Sequence, residues 1–398
     1  MLAFRSSQFF ELNRKTSFHV PVPILTDTLK ISSSYYGKKL TENGSFPRRV
    51  VIGEALFLDN KDKILSPVNG IATKEGETIQ LRIDGELNFR ARFEKKEFTF
   101  LEMKTKLDSL GIVSLDFSGY LLSDLLEKFK ANEDSMIVFA PFTRENFLDY
   151  HGRILAHHKT ELESLKSSLK KFFSKAKVMD YLSTDKPEYS YPQGTPKFFL
   201  NKYCGVNIES EFPIEKVLYL GPETIYYMIQ ALFYNVPFQE RFLSVTIINK
   251  KGFLEGETKV YRVKNGTNLF EFLNQIKQTY GYKYYTINSF YDSQPVYEIG
   301  SDFIFDIYRH HAIIICEKIY NESEEGVCID CNDCSYFCPV NANPRVLLEK
   351  NKSGFKKDLC LECGLCSVFC PAHIDFSVKI FDVKKEKLDA ISQSITDK

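Results

Sequence analysis

The alternation of apolar and polar positions changes character several times along the chain, and each change marks a different kind of structure. From residue 1 to about 45, short apolar pieces such as Phe18-His-Val-Pro-Val-Pro-Ile-Leu25 are broken by turn residues, which predicts irregular structure with few strands. From Arg49 to about Glu97 the pattern is all-β. Val50–Leu58, Lys63–Val68, Ile71–Thr73 and Ile79–Ile83 read as strands, and Asn69-Gly70 predicts a tight turn between the second and the third. Residues 100 to 235 read as α/β. Helical periodicity covers Leu121–Lys130 and Asn146–Phe173, the latter studded with Lys and Glu. Met136–Ala140 and Val217–Leu220 have the length and composition of short buried strands. Gly221-Pro222 opens a helix over Thr224–Phe233, and Pro237 ends the helical stretch. Residues 240 to 300 suit a small β-grasp unit: strand Leu243–Asn249, turn Lys251-Gly252, strand Lys259–Val263 and helix Asn268–Tyr280. A last strand, His311–Cys316, leads into the C-terminal region.

A length of 398 residues predicts about two to four domains. The 43% hydrophobic and 26% charged residues are those of a globular protein, and 52 basic residues balance 52 acidic ones. That balance supplies no field to recruit nucleic acid or a membrane surface. The many Phe and Tyr residues, with no Trp, predict core and sheet packing rather than a function. Met1–Lys15 holds no apolar stretch long enough for a signal peptide, and no apolar run reaches membrane-spanning length. The best candidate, Ala312–Cys316, has the size of a buried strand. Cysteine placement then favours the cytoplasm, because eight of the ten fall between Cys328 and Cys370 in a metal-ligand rhythm rather than a disulfide framework.

That rhythm is the strongest signal in the chain. Cys328, Cys331, Cys334 and Cys338-Pro339 follow the spacing C-x2-C-x2-C-x3-C-P, and Cys360, Cys363, Cys366 and Cys370-Pro371 repeat it. Three cysteines so spaced wrap a tight backbone loop around one face of an iron–sulfur cubane, and the fourth turns away toward the other cluster. Cys328, Cys331, Cys334 and Cys370 are thereby assigned to one [4Fe–4S] cluster, and Cys360, Cys363, Cys366 and Cys338 to a second. A zinc ribbon also uses C-x2-C pairs, but it needs only two of them and has no use for a third cysteine or a trailing C-P. The lysine-rich loop Glu349–Asp358 between the runs reads as a solvated loop, with a docking face for an acidic electron carrier as the sharper alternative. Cys204 and Cys316 stand outside the pattern; Cys316 reads as a small core residue.

The order of these parts resembles the C subunit of Rnf electron-transport complexes. Three stretches carry the resemblance: Ser66-Pro-Val-Asn-Gly70, similar to the tip of a lipoyl-type barrel-sandwich module but without its lysine; Tyr191-Pro-Gln-Gly-Thr-Pro-Lys197; and the doubled cysteine motif. The same architecture without clusters is similar to the A subunit of sodium-translocating NADH:quinone reductases, and it echoes the flavin subunit of respiratory complex I. The resemblance covers roughly residues 20–385. It implies an α+β multidomain chain: an irregular segment 1–45, a barrel-sandwich β piece 46–99, a Rossmann-like α/β domain 100–238, a β-grasp domain 239–318 and a dicluster ferredoxin-like, α-helical module 319–385. It further implies a peripheral subunit on the cytoplasmic face of a membrane-bound ion-pumping complex, held there by membrane-embedded redox subunits and exchanging electrons with NADH through FMN, or with ferredoxin.

One stretch departs from the family. Where a glycine-rich loop should cradle flavin and dinucleotide, the chain has Gly111-Ile-Val-Ser-Leu-Asp-Phe-Ser-Gly119-Tyr120, in which only Gly111 and Gly119 fit a cofactor-binding glycine pattern. The acidic stretch expected after the next strand is reduced to Glu145 in Phe139-Ala-Pro-Phe-Thr-Arg-Glu145. Three functions stand side by side: an electron-relay subunit whose α/β domain is a scaffold, a complete NADH-oxidising FMN-dependent subunit, and a ferredoxin-fused adaptor or redox sensor without a pump.

Overall fold

The computed structural model describes residues 22–24, 26–84, 97–116, 120–141, 154–182, 195–206, 213–248, 255–256, 258–288, 297–300, 302–316, 326–349, 351–376, 379–380 and 382–383. They form a mixed α/β structure with five sheets, and among the described residues no sheet closes into a barrel. No helix among them is long and apolar enough to cross a membrane.

The first sheet has four strands, in the order Thr28–Ser32, Thr78–Ile83, Gly70–Glu75, Arg48–Val50, all antiparallel. Thr28–Ser32 alternates cleanly, burying Leu29 and Ile31, so the region expected to be irregular supplies a full strand well before residue 46. The expected single strand Val50–Leu58 is split in two. Arg48–Val50 stays in this sheet, while Ala55–Asp59 enters a three-stranded sheet with Thr41–Glu42 and Asp62–Leu65. The break is held by Glu54, whose carboxylate accepts from the Val51 amide and pairs with Arg48.

The tight turn expected at Asn69-Gly70 is absent. The hairpins turn instead at Asn60-Lys61 and Gly76-Glu77, and Asn69-Gly70 is the crossing between two sheets. Asn69 is occupied elsewhere, its Oδ1 accepting from the Ile52 amide at 2.9 Å. Gly70 is required by close approach, because a Cβ there would lie 2.2 Å from the Arg82 carbonyl oxygen. That oxygen belongs to the paired strand and cannot yield without opening the ladder. Gly70→Ala is therefore expected to lower stability by about 1–3 kcal/mol, measured as a shift in the urea midpoint.

Three parallel strands come next, in the spatial order Lys177–Asp180, Met136–Phe139, Val217–Leu220. The predicted strands at 136 and 217 and the helices Leu122–Lys128 and Pro222–Tyr234 are present. The long helix starts only at Lys159, after a turn over residues 155–157 and its N-cap His158, and ends at Phe172, so the expected span is too long at its start; residues 146–153 of it are outside the described residues. Pattern reading missed the edge strand Lys177–Asp180 because none of its residues is fully buried. It also missed helix Phe100–Ser109, which opens with a capping box: Thr99 accepts from the Glu102 amide while Glu102 accepts from the Thr99 amide.

The largest sheet runs Val22–Pro23, Lys259–Lys264, Glu240–Ile248, Ala312–Cys316, Tyr284–Ile287, Tyr297–Glu298, with helix Phe270–Tyr280 beside it. The expected turn at Lys251-Gly252 is outside the described residues. One contiguous apolar core contains residues of this sheet, the parallel sheet and the N-terminal sheets. A second core, around Ala342, Leu347, Phe355, Ile374 and Phe376, belongs to the cysteine region.

Within the largest unit, His310 is half-buried and its Nδ1 accepts from the Asp306 amide at 3.0 Å. Burial first, then the charges of Arg309 and Arg241, lower its pKa to about 4. The unfolded imidazole, with a pKa of about 6.5, binds a proton that the folded one refuses, so stability falls as pH drops from about 6.5 to about 4. The loss reaches about 3 kcal/mol at most. Burial also raises the pKa of neighbouring Asp306, which works in the opposite sense at the acid end. Denaturation curves of His310→Gln are expected to flatten over this pH window; an unchanged slope would contradict the assignment.

Candidate metal centre

The two cysteine runs fold into two copies of one small device. Each third cysteine sits in a four-residue helix, Asp333–Tyr336 or Leu365–Val368, entered through a left-handed residue, Asn332 or Gly364. Further left-handed residues recur at equivalent places: Asp330 and Glu362 between the first and second cysteines, Asn341 and His373 after the fourth. Such tight reversals let three successive cysteines face inward from one loop. The hydroxyls that follow the third cysteines do the same work in both copies. Ser335 Oγ accepts from the Arg345 amide at 3.3 Å, and Ser367 Oγ from the Phe376 amide at 2.9 Å. After the fourth cysteines, the Ala342 amide donates to Cys338 Sγ at 3.2 Å and the Ile374 amide to Cys370 Sγ at 3.5 Å. Where the copies meet, Phe337 and Phe369 stack with centroids 4.0 Å apart.

The thiols group across the two runs. Cys338, Cys360, Cys363 and Cys366 line one cavity, closed by Pro339, Val340, Ala342, Pro344, Phe355, Leu361 and Ile380. Three of these cysteines come from the second run and one from the first. Burial pushes the Cys363 thiol up to about 12, with Cys360 and Cys338 as the neighbouring thiols that add to it. Cys366 is raised by burial and then by Cys363, Cys360 and Cys338. On the other side, burial raises Cys334 against hydrogen bonds from Ser335, and the thiols that act on it are Cys370 and Cys331. Each fourth cysteine therefore keeps company with the other run. Cys331 is the exposed member of its set, and Cys328 accepts from the Asp330 amide at 3.4 Å.

Among the described residues no group of three or more His, Cys, Asp or Glu side chains converges on a single-ion site. In a cubane each thiolate binds a separate iron at a separate corner. The donor set fits the cubane: four thiols around an apolar cavity, with amide donors aimed at sulfur. The lysine-rich loop is exposed at Lys352 and Lys356 and anchored by buried Phe355. Cys204 is half-buried and its thiol is raised by burial, which suits a packing role.

The glycine pair fares differently. Gly111 follows helix Phe100–Ser109 with a φ of +66°, its amide donating to the Asp108 carbonyl at 3.0 Å, and a Cβ there would meet Leu65 at 3.0 Å. It is a helix-ending residue wedged against the β region, and its amide is already used. Gly119, Glu145 and residues 191–194 of the Tyr191–Lys197 stretch are outside the described residues. Sequence reading missed the paired serines and the stacked phenylalanines, although Cys334-Ser-Tyr-Phe-Cys-Pro339 and Cys366-Ser-Val-Phe-Cys-Pro371 display them in register. No protein-family model matches the chain, and a search of curated proteins finds no match.

Proposed function

We propose that this chain is an electron-relay subunit similar to the C subunit of Rnf complexes, carrying two [4Fe–4S] clusters. The observation that carries the reading is the shared cavity, in which Cys338 of the first run joins Cys360, Cys363 and Cys366 of the second. Cys328, Cys331, Cys334 and Cys370 would hold the other cluster. Bound clusters supply reversible one-electron storage. The chain's own part is to set that chemistry's potential through amide donors to sulfur, through burial and through nearby charge such as the Arg345–Asp330 pair beside Cys328.

In this reading the N-terminal sheets are the barrel-sandwich piece, the parallel sheet the Rossmann-like unit, the six-stranded sheet the β-grasp unit, and the cysteine region the dicluster module. The chain works on the cytoplasmic side of a membrane, held by membrane-embedded redox subunits, and ferredoxin is its soluble exchange partner. The α/β unit serves as scaffold, which agrees with the use of Gly111 in a helix end. Two experiments test this. The chain is expected to co-purify with multi-span subunits from membranes in mild detergent, and recovery as a free monomer would count against it. In anaerobic titrations of cluster-loaded protein, dithionite or reduced ferredoxin is expected to bleach the cluster absorbance while NADH, with or without FMN, does not. Bleaching by NADH that depends on FMN would instead make the chain a complete NADH-oxidising subunit.

A further inference from the structure

In an open parallel sheet, ligand phosphates settle beyond the carboxyl ends of the two neighbouring strands where the winding direction reverses, at the N-terminus of the next helix. Here those strands are Met136–Phe139 and Val217–Leu220. The chain leaves the first for Lys177–Asp180 on one side and then crosses back to Val217–Leu220 on the other. The helix after that strand, Pro222–Tyr234, begins at the reversal point. Its N-cap is Gly221 and its first residue Pro222, so neither local side chain caps the end.

That end is nevertheless filled. Asp116, only 6% exposed, reaches it from more than a hundred residues upstream. Its Oδ2 accepts from the Gly221 amide at 2.9 Å and from the Thr224 hydroxyl at 2.7 Å. Thr224 Oγ1 in turn accepts from the Leu115 amide at 3.1 Å. A carboxylate here accepts from the N-cap amide and complements the positive end of the helix dipole, two services a bound phosphate would render.

We infer that the Asp116 carboxylate is a built-in anion occupying the phosphate position of this crevice, so that the chain excludes nucleotide and flavin phosphates with its own side chain. Asp116 lies between Gly111 and Glu145 in the region where the family resemblance leads one to expect a phosphate loop, and it takes the Gly221 amide and the Thr224 hydroxyl, donors a phosphate there would use. A phosphate entering would face an anion already holding the Gly221 amide and the Thr224 hydroxyl, in a buried setting where like charges repel strongly. The inference goes beyond the electron-transfer reading and stands apart from it: anion binding tests the one and iron content the other.

The test uses the full chain as wild type, Asp116→Ala and Asp116→Asn, each titrated with inorganic phosphate and with FMN against sodium chloride of matched ionic strength. Thermal midpoints and FMN fluorescence are read. Wild type is expected to show no phosphate effect beyond the chloride control and no FMN quenching. Asp116→Ala is expected to melt lower and to regain about 3 °C at saturating phosphate. Asp116→Asn keeps an acceptor oxygen and is expected to lose less and to ignore phosphate. Stabilisation of wild type by phosphate, FMN binding by wild type, or a folded Asp116→Ala indifferent to phosphate would each overturn the inference. If Asp116→Ala folds poorly, its refolding yield in phosphate against chloride is the readout, and equal yields overturn it.

Discussion

Replacing Cys338 and Cys363 together with alanine is expected to leave about four iron atoms per chain out of about eight, because both residues serve the same cluster. The expectation comes from the cavity they share with Cys360 and Cys366. If each run of cysteines held its own cluster, the same double replacement would damage both, and little iron would remain. The pair Cys334→Ala with Cys370→Ala makes the mirror-image test, since Cys370 is among the thiols acting on Cys334. It too is expected to leave about four iron atoms, in the other cluster. Cys204→Ala is the control, expected to keep the full complement. The distinction matters for function. Crossed ligation would make the module one pseudo-symmetric unit in which neither half is complete alone, with the stacked Phe337 and Phe369 at the seam.

The second large effect lies at the joint between the parallel sheet and the six-stranded sheet. Arg241 and Glu223 are both 1% exposed and meet in a two-pronged ion pair, with both contacts at 3.1 Å. The remaining guanidinium nitrogen donates to the Ile307 carbonyl at 3.2 Å. Glu223 stands in the first turn of helix Pro222–Tyr234, beside the Thr224 that Asp116 holds, so two buried carboxylates fix the start of one helix. Glu223→Ala strands a guanidinium in an apolar interior and is expected to cost about 3–5 kcal/mol. Replacing both partners with apolar residues of similar volume, Glu223→Leu with Arg241→Met, is expected to recover most of that loss. Urea unfolding midpoints of the two variants decide the point; a double variant as unstable as the single would show that the pair adds more than mutual neutralisation.

Much of the fold was readable from pattern, and the failures share causes. Elements whose burial follows a single rule announced themselves: Val217–Leu220 is apolar at every position, and Pro222–Tyr234 is buried on nearly all sides after a Gly-Pro start. Elements decided by a partner remote in sequence did not. Gly70 looks like a turn glycine but is there because Arg82 passes too close for a side chain. Val50–Leu58 looks like one strand but is divided by the pairing of Glu54 with Arg48. Thr28–Ser32 needed Thr78–Ile83 beside it to be a strand at all. In the cysteine region the spacing alone marks all eight cysteines as candidate ligands, because a cubane motif is local in sequence, and the structure brings Cys338 into one cavity with Cys360, Cys363 and Cys366. Asp116 left no trace in pattern, since its significance depends on a helix start more than a hundred residues away.

The metal content of protein purified anaerobically decides between two iron–sulfur clusters and zinc. Iron, acid-labile sulfide and zinc would be quantified per chain, and the dithionite-reduced sample examined by electron paramagnetic resonance. About eight iron and about eight sulfide per chain, negligible zinc, and the broadened spectrum of two reduced clusters close enough to interact are expected. Stoichiometric zinc with little iron or sulfide, and no signal on reduction, would contradict the two-cluster reading.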